Sequence, residues 1–188
     1  MRKIFPFYFL LLFIFLVLSQ VVKAENIHFN DSVYDLKYSE ITSKSRIIEN
    51  EYYKVKENRD YWTSMIGIYY NPEISNPLKY AADVDKKIET TENLVLLKFM
   101  QNKKKDVAII SYLENVVQDD KTFFIYNIYK YEKHPKKGMM ILRFAKKYVF
   151  NSKEEITHIA QEVKAINNDY MEQIIISPIP QIVVKHIP

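Results

Sequence analysis

The chain has no cysteine, two glycines and one tryptophan in 188 residues. Without cysteine there is no disulfide, no thiol nucleophile, no thiolate metal site and no lipid-modified N-terminal cysteine. Gly67 and Gly138 alone cannot build phosphate-cradling loops or a nucleophile elbow, both of which need glycines at fixed spacing. No Ser–His–Asp spacing can be assigned, and no internal repeat, low-complexity tract or linker divides the chain. A domain of this size without cross-links has to hold by its core alone.

The N-terminus is where long apolar sequence concentrates. Arg2 and Lys3 precede an apolar run from Ile4 to Leu18, and Val22-Lys23-Ala24 closes the segment on a small residue. This layout predicts a secretory signal peptide over residues 1–24, cleaved between Ala24 and Glu25. An uncleaved N-terminal membrane anchor is the alternative. The expected location is therefore the periplasm or extracellular space. The whole chain carries a net charge of +4. Losing Arg2, Lys3 and Lys23 with the leader leaves 24 basic against 23 acidic residues, so the basic balance does not predict nucleic-acid binding.

The mature segment, 25–188, reads as one α+β domain. Its spine is four strand-like runs rich in Val, Ile, Leu, Phe and Tyr: Asn93 to Gln101, Val107 to Glu114, Thr122 to Glu132 and Met139 to Phe150. Short charged turns between them predict an antiparallel four-stranded meander. Each run is apolar on both faces, so both faces of the sheet are expected to be covered. Two helices and the N-terminal strands are the expected cover.

Before the meander, Asn26 to Asp31 reads as a loosely held start. Three strands are expected around Tyr34–Tyr38, over Ile47–Val55 and over Tyr61–Tyr70. Trp62, Ile66, Ile68 and Tyr70 share a face of the third, which predicts a buried Trp62. Gly67 suggests a bulge or a close backbone approach there. Tyr52-Tyr53 and Tyr69-Tyr70 are each expected to place one ring outside the core.

Asn76-Pro77 predicts a helix start, and Tyr80, Ala81, Val84 and Ile88 give its apolar stripe. Ser152 and Glu155 form a capping box for a second helix with Ile156, Ile159, Ala160, Val163, Ile166 and Tyr170 on its stripe. From about residue 176 the chain is expected to be extended, because prolines at 178 and 180 disfavour helix before them. The fold class is thus α+β: an antiparallel sheet with a C-terminal four-stranded meander, flanked by two amphipathic helices.

Candidate sites are few. Glu154, His158 and Glu162 fall at i, i+4 and i+8, a row able to face a divalent cation. The row lies off the apolar stripe, where a solvated face is the simpler reading. The clearer signal is in the turns. Meander geometry brings the first and third turns to one end of the sheet, gathering Lys103, Lys104, Lys105, Lys133, His134, Lys136 and Lys137. Gln118-Asp119-Asp120 lies at the other end. A focused basic end attracts an anionic surface or an acidic protein partner. No cofactor is predicted, and any membrane contact is expected to be peripheral.

The order of strands, helix, meander and capped helix resembles the PsbP-like fold group. The residues behind the likeness are Tyr61 to Tyr70, Asn76-Pro77, the meander and the helix from Ser152. That resemblance implies a non-catalytic binding or assembly factor of the envelope. The other functional reading is an exported hydrolase or other enzyme with a dispersed site.

Overall fold

The computed structural model describes residues 25–102, 104 and 106–184. The expected leader (1–24), Lys103, Lys105 and residues 185–188 lie outside the described residues. Eight strands and two helices follow in the order β1 (Asn26–Phe29), β2 (Ser32–Ile41), β3 (Ile48–Lys54), β4 (Ser64–Asn71), α1 (Pro77–Glu89), β5 (Leu94–Gln101), β6 (Val107–Gln118), β7 (Lys121–Lys133), β8 (Met139–Val149) and α2 (Lys153–Ile176). Every pairing is antiparallel, and the sheet order is β1-β2-β3-β4-β8-β7-β6-β5. The fold is α+β, and β5 to β8 form the meander. No helix among the described residues is long and apolar enough to cross a membrane.

The N-terminal strands do not cover the meander. They extend it edge to edge, because β4 pairs with β8 from Ser64↔Lys146 to Asn71↔Met139. The expectation of a loose start is also corrected. Asn30 and Asp31 adopt φ of 52° and 57°, the left-handed pair that closes a two-residue hairpin. That hairpin sets Ile27 and Phe29 against the core. Asp119 and Asp120 make the same kind of turn between β6 and β7, at φ of 49° and 60°. Asn and Asp tolerate this region better than other residues that carry a Cβ.

Side-chain alternation sorts the core between the two faces. On one face Ile109, Tyr126, Ile128, Leu142, Phe144, Ile66, Ile68, Tyr52 and Tyr34 pack beneath Ile159, Val163, Met171 and Ile174 of α2. Beyond α2 the extended segment 177–184 continues over this face, with Ile179 and Ile182 packed on the same core. On the opposite face α1 sets Ala81 and Ile88 on Ala108, Ile110, Tyr131 and Met139. The helices start as expected. The Asn76 side chain accepts from the Lys79 N–H at 3.0 Å, and Ser152 Oγ accepts from the Glu155 N–H at 3.2 Å. The Glu155 carboxylate accepts from the backbone N–H of Asn151, one residue before the cap.

Three local expectations are corrected. Pairing runs through Gly67 without a shift on both sides, to Glu51 and to Arg143. The close approach is a side chain: a Cβ at Gly67 would run into the Tyr69 ring and hydroxyl. The register shifts occur instead at Leu36/Tyr38 and Leu96/Lys98. Trp62 precedes β4 in a loop and is only half-buried, against the cluster of Tyr53, Met65 and Ala145. Its ring lies 4.4 Å from the Lys147 ammonium. Finally, Tyr52 and Tyr53 are both buried, one on each face, because this sheet is covered where β3 runs.

Candidate functional site

The two lysine-rich turns do meet at one end of the sheet. A shallow depression between them is lined by Asp106 and Val107 from one turn and by Glu132, Lys133, His134 and Pro135 from the other. The β7–β8 turn is rigid for identifiable reasons. Gly138 sits at φ 87°, and its carbonyl accepts from the His134 N–H at 3.0 Å. A Cβ at Gly138 would lie 2.7 Å from Pro72 Cα, so only glycine fits. His134 Nδ1 accepts from the backbone of Lys136 at 3.3 Å and of Lys137 at 3.4 Å. The Tyr70 ring packs 4.9 Å from His134, and its hydroxyl donates to the Lys137 carbonyl at 3.1 Å. His134 is therefore turn architecture. Lys104, Lys133, Lys136 and Lys137 are exposed around it. Asp106 and Glu132 share the depression, and Glu132 is engaged by Lys130 at 3.1 Å.

The row on α2 does not converge on a cation. Glu162 Oε1 accepts from Lys146 Nζ at 2.8 Å and from the Tyr148 hydroxyl at 2.9 Å. Partial burial works to raise the Glu162 carboxyl, but those two hydrogen bonds and the Lys146 charge outweigh it and hold it below the usual range. Glu154 and His158 are exposed. Among the described residues no group of three His, Cys, Asp or Glu side chains is placed to hold a metal ion.

Two arrangements escaped sequence reasoning. The first is a row across the face opposite α2. Register aligns Tyr38, Glu51, Gly67, Arg143 and Tyr129 on five neighbouring strands. α1 covers this face at β5 to β7, and the loop carrying Arg59 and Trp62 covers the patch around Tyr53. Arg143 lies between the two covers. Leu142 and Phe144 point into the α2 side, so Arg143 has to point the other way. Its Nε and Nη2 donate to Asn127 Oδ1 at 3.2 and 2.9 Å. Its guanidinium lies 5.4 Å from the Tyr129 centroid. Tyr129 in turn stacks between Tyr112, at 5.9 Å, and Tyr131, at 6.0 Å. The available signal was Arg143 itself, the only charge between Met139 and Ala145.

The second arrangement is the extended strap, 177–184. Asn50, fully buried on β3, takes the Val183 N–H on Oδ1 at 2.7 Å and gives Nδ2 to the Val183 carbonyl at 3.0 Å. Ser39 adds a second donor to that carbonyl at 3.2 Å. At the other end of the strap, buried Lys130 donates to the Ser177 carbonyl at 2.7 Å. Between strap, β1 and β8 lies an apolar cavity of about 200 Å³, lined by Phe29, Ile66, Leu142, Phe144, Pro178 and Pro180 among others.

No curated protein and no solved structure matches this chain. A protein-family model does, over residues 21–179. Those residues contain every strand, both helices, both lysine-rich turns and the first residues of the strap. The chain belongs to the family which that model defines.

Proposed function

We propose that this protein is an exported, non-enzymatic interaction domain of the cell envelope or secreted space, and that its basic end docks on an anionic surface or an acidic partner. The observation that carries the reading is the meeting of the β5–β6 and β7–β8 turns, with Lys104, Lys133, Lys136 and Lys137 exposed at one end. Lys103 and Lys105 add charge to the same turn in sequence. Two acids share this end: Lys130 engages Glu132, and Asp106 is bonded to Asn102, which leaves the lysines in excess. A rigid turn presents its lysines at little ordering cost on binding. The leader-like N-terminus supports export. The PsbP-like order of elements supports a non-catalytic role by analogy.

Co-sedimentation with anionic liposomes at low and at physiological salt tests this reading. Wild type should bind at low salt and weaken strongly at the higher salt, where exposed charges are screened beyond about 8 Å. Reversing Lys103, Lys104, Lys105, Lys136 and Lys137 to Glu should abolish binding. Reversing Lys86 and Lys87 on α1 should matter less. Absence of wild-type binding at low salt refutes the proposal.

A further inference from the structure

Arg143 is, among the described residues, a cation without a counter-ion. Among the described residues the ion pairs are Lys37–Asp35, Arg59–Glu51, Lys79–Asp83, Lys130–Glu132 and Lys146–Glu162, and none includes Arg143. The carboxylate in its own row, Glu51, is engaged by Arg59 at 3.4 Å and by the Tyr53 hydroxyl at 2.7 Å. What surrounds Arg143 is neutral: Asn127, the Tyr129 face and Tyr69, whose ring lies over Gly67 at the paired position of β4. Tyr112 stacks on Tyr129 beside it at 5.9 Å.

A charge drawn partly out of water is costly unless something opposite in sign answers it. Asn127 occupies the Nε side of the fork and fixes its plane. A guanidinium has five N–H groups, and Asn127 answers only the Nε and Nη2 edge, so the Nη1 donors are not taken by it. This is a preorganised fork beside phenol hydroxyls, and planar bidentate recognition of an oxyanion is what such a fork does best. Gly67 keeps the neighbouring strand position free of any side chain except the Tyr69 ring laid across it.

We infer that Arg143, with Tyr69, Tyr112 and Tyr129, forms an oxyanion-binding site that takes a carboxylate or phosphoryl group of a ligand on the part-exposed strip of sheet between α1 and the loop carrying Arg59 and Trp62. The site is separate from the basic end. Tyr129 lies four residues from Lys133 along β7, about 13 Å at the rise of a strand. Salt-screened attraction to a surface and coordination by one fork are therefore independent events.

The chain has four arginines, Arg2, Arg46, Arg59 and Arg143, so its arginine Nε–H nuclear magnetic resonances are few. The wild-type protein is titrated with acetate, with inorganic phosphate and with chloride at constant ionic strength. A saturable shift of the Arg143 Nε–H, absent with chloride and absent at Arg46, is the expected result. The stronger of the acetate and phosphate responses identifies the ligand group. Arg143→Lys keeps the charge but loses the fork, and should weaken binding about tenfold or more. Arg143→Gln should abolish it, with saturation then absent from the Tyr69 and Tyr129 ring signals. An equal response to chloride means an adventitious ion only and overturns the site. So does a linear, unsaturated response to both oxyanions. The wild-type titration decides these outcomes even if Arg143→Gln does not fold.

Discussion

Asn50→Ala is the substitution whose effect the structure specifies most fully. It removes four hydrogen bonds from a fully buried amide: two with Val183 at 2.7 and 3.0 Å, one to Ser39 at 2.9 Å and one to the Glu49 carbonyl at 3.1 Å. A hydrogen bond contributes about 1 kcal/mol net, while a buried group left without a partner costs about 1–3 kcal/mol. The strap has a way out, however, because Val183 can turn to water if residues 177–184 lift. Lifting sacrifices the packing of Ile179 and Ile182. The expected loss is about 2–4 kcal/mol, bounded above by the release of the strap. In a domain of this size that is about 5–15 °C in Tm. Urea unfolding gives the loss, and hydrogen exchange at the Val183 amide shows whether the strap has opened. Asn50→Asp separates the two halves of the clamp. Its carboxylate still accepts from the Val183 N–H but repels the Val183 carbonyl. Protonation restores a donor, so protection of Val183 should rise as pH falls through the range where that carboxyl titrates. If Asn50→Ala costs less than about 0.5 kcal/mol and Val183 stays protected, the strap is held by packing and the clamp reasoning is wrong.

Two further outcomes follow from the aromatic residues. Trp62→Ala should cost about 1–3 kcal/mol, below the usual range for a fully buried Trp, because the ring is half-exposed and its Lys147 contact contributes about 0.5–1 kcal/mol. A larger loss in urea unfolding would place Trp62 in the core after all. Burial raises the hydroxyl pKa values of Tyr34, Tyr52, Tyr53, Tyr126 and Tyr148, that of Tyr52 to about 12. The folded state thus keeps these protons after the unfolded chain, titrating near 10, has lost them. Stability should hold below about pH 10 and fall as pH rises towards 12, with phenolate absorbance and circular dichroism changing in one step. Separate titration of these tyrosines near pH 10 in a folded protein would contradict the burial.

What was legible in the sequence is what repeats locally. The four meander strands announce themselves by composition and turn chemistry, and Asn76 and Ser152 mark their helix starts through contacts three residues away. The meeting of the lysine turns followed from counting strands. What was not legible depends on partners far apart in the chain. Nothing in Ser64–Asn71 says that its free edge pairs with Met139–Val149, so the N-terminal strands read as a separate layer. Asn50 looks like any polar residue in a weak strand until Val183, 133 positions later, lies across it. Arg143 was visible as a lone charge in an apolar strand. Its neutral surroundings depend on Asn127 and Tyr129 arriving in register.

The join between β4 and β8 also fixes when the domain can finish folding. Gly67 and Arg143 stand 76 positions apart, and every β4 pairing to β8 closes a loop of comparable length. Ordering so long a loop costs entropy before its contacts return anything, which places the domain among slow, topology-limited folders. Until residues 139–149 dock, β4 and β7 each present an unsatisfied strand edge, the first lined with Met, Ile and Tyr and the second with Phe, Ile and Tyr. Such edges recruit other chains. Substitutions in β8 should therefore lower the yield of soluble protein through aggregation of the half-assembled sheet, even where the finished fold tolerates them.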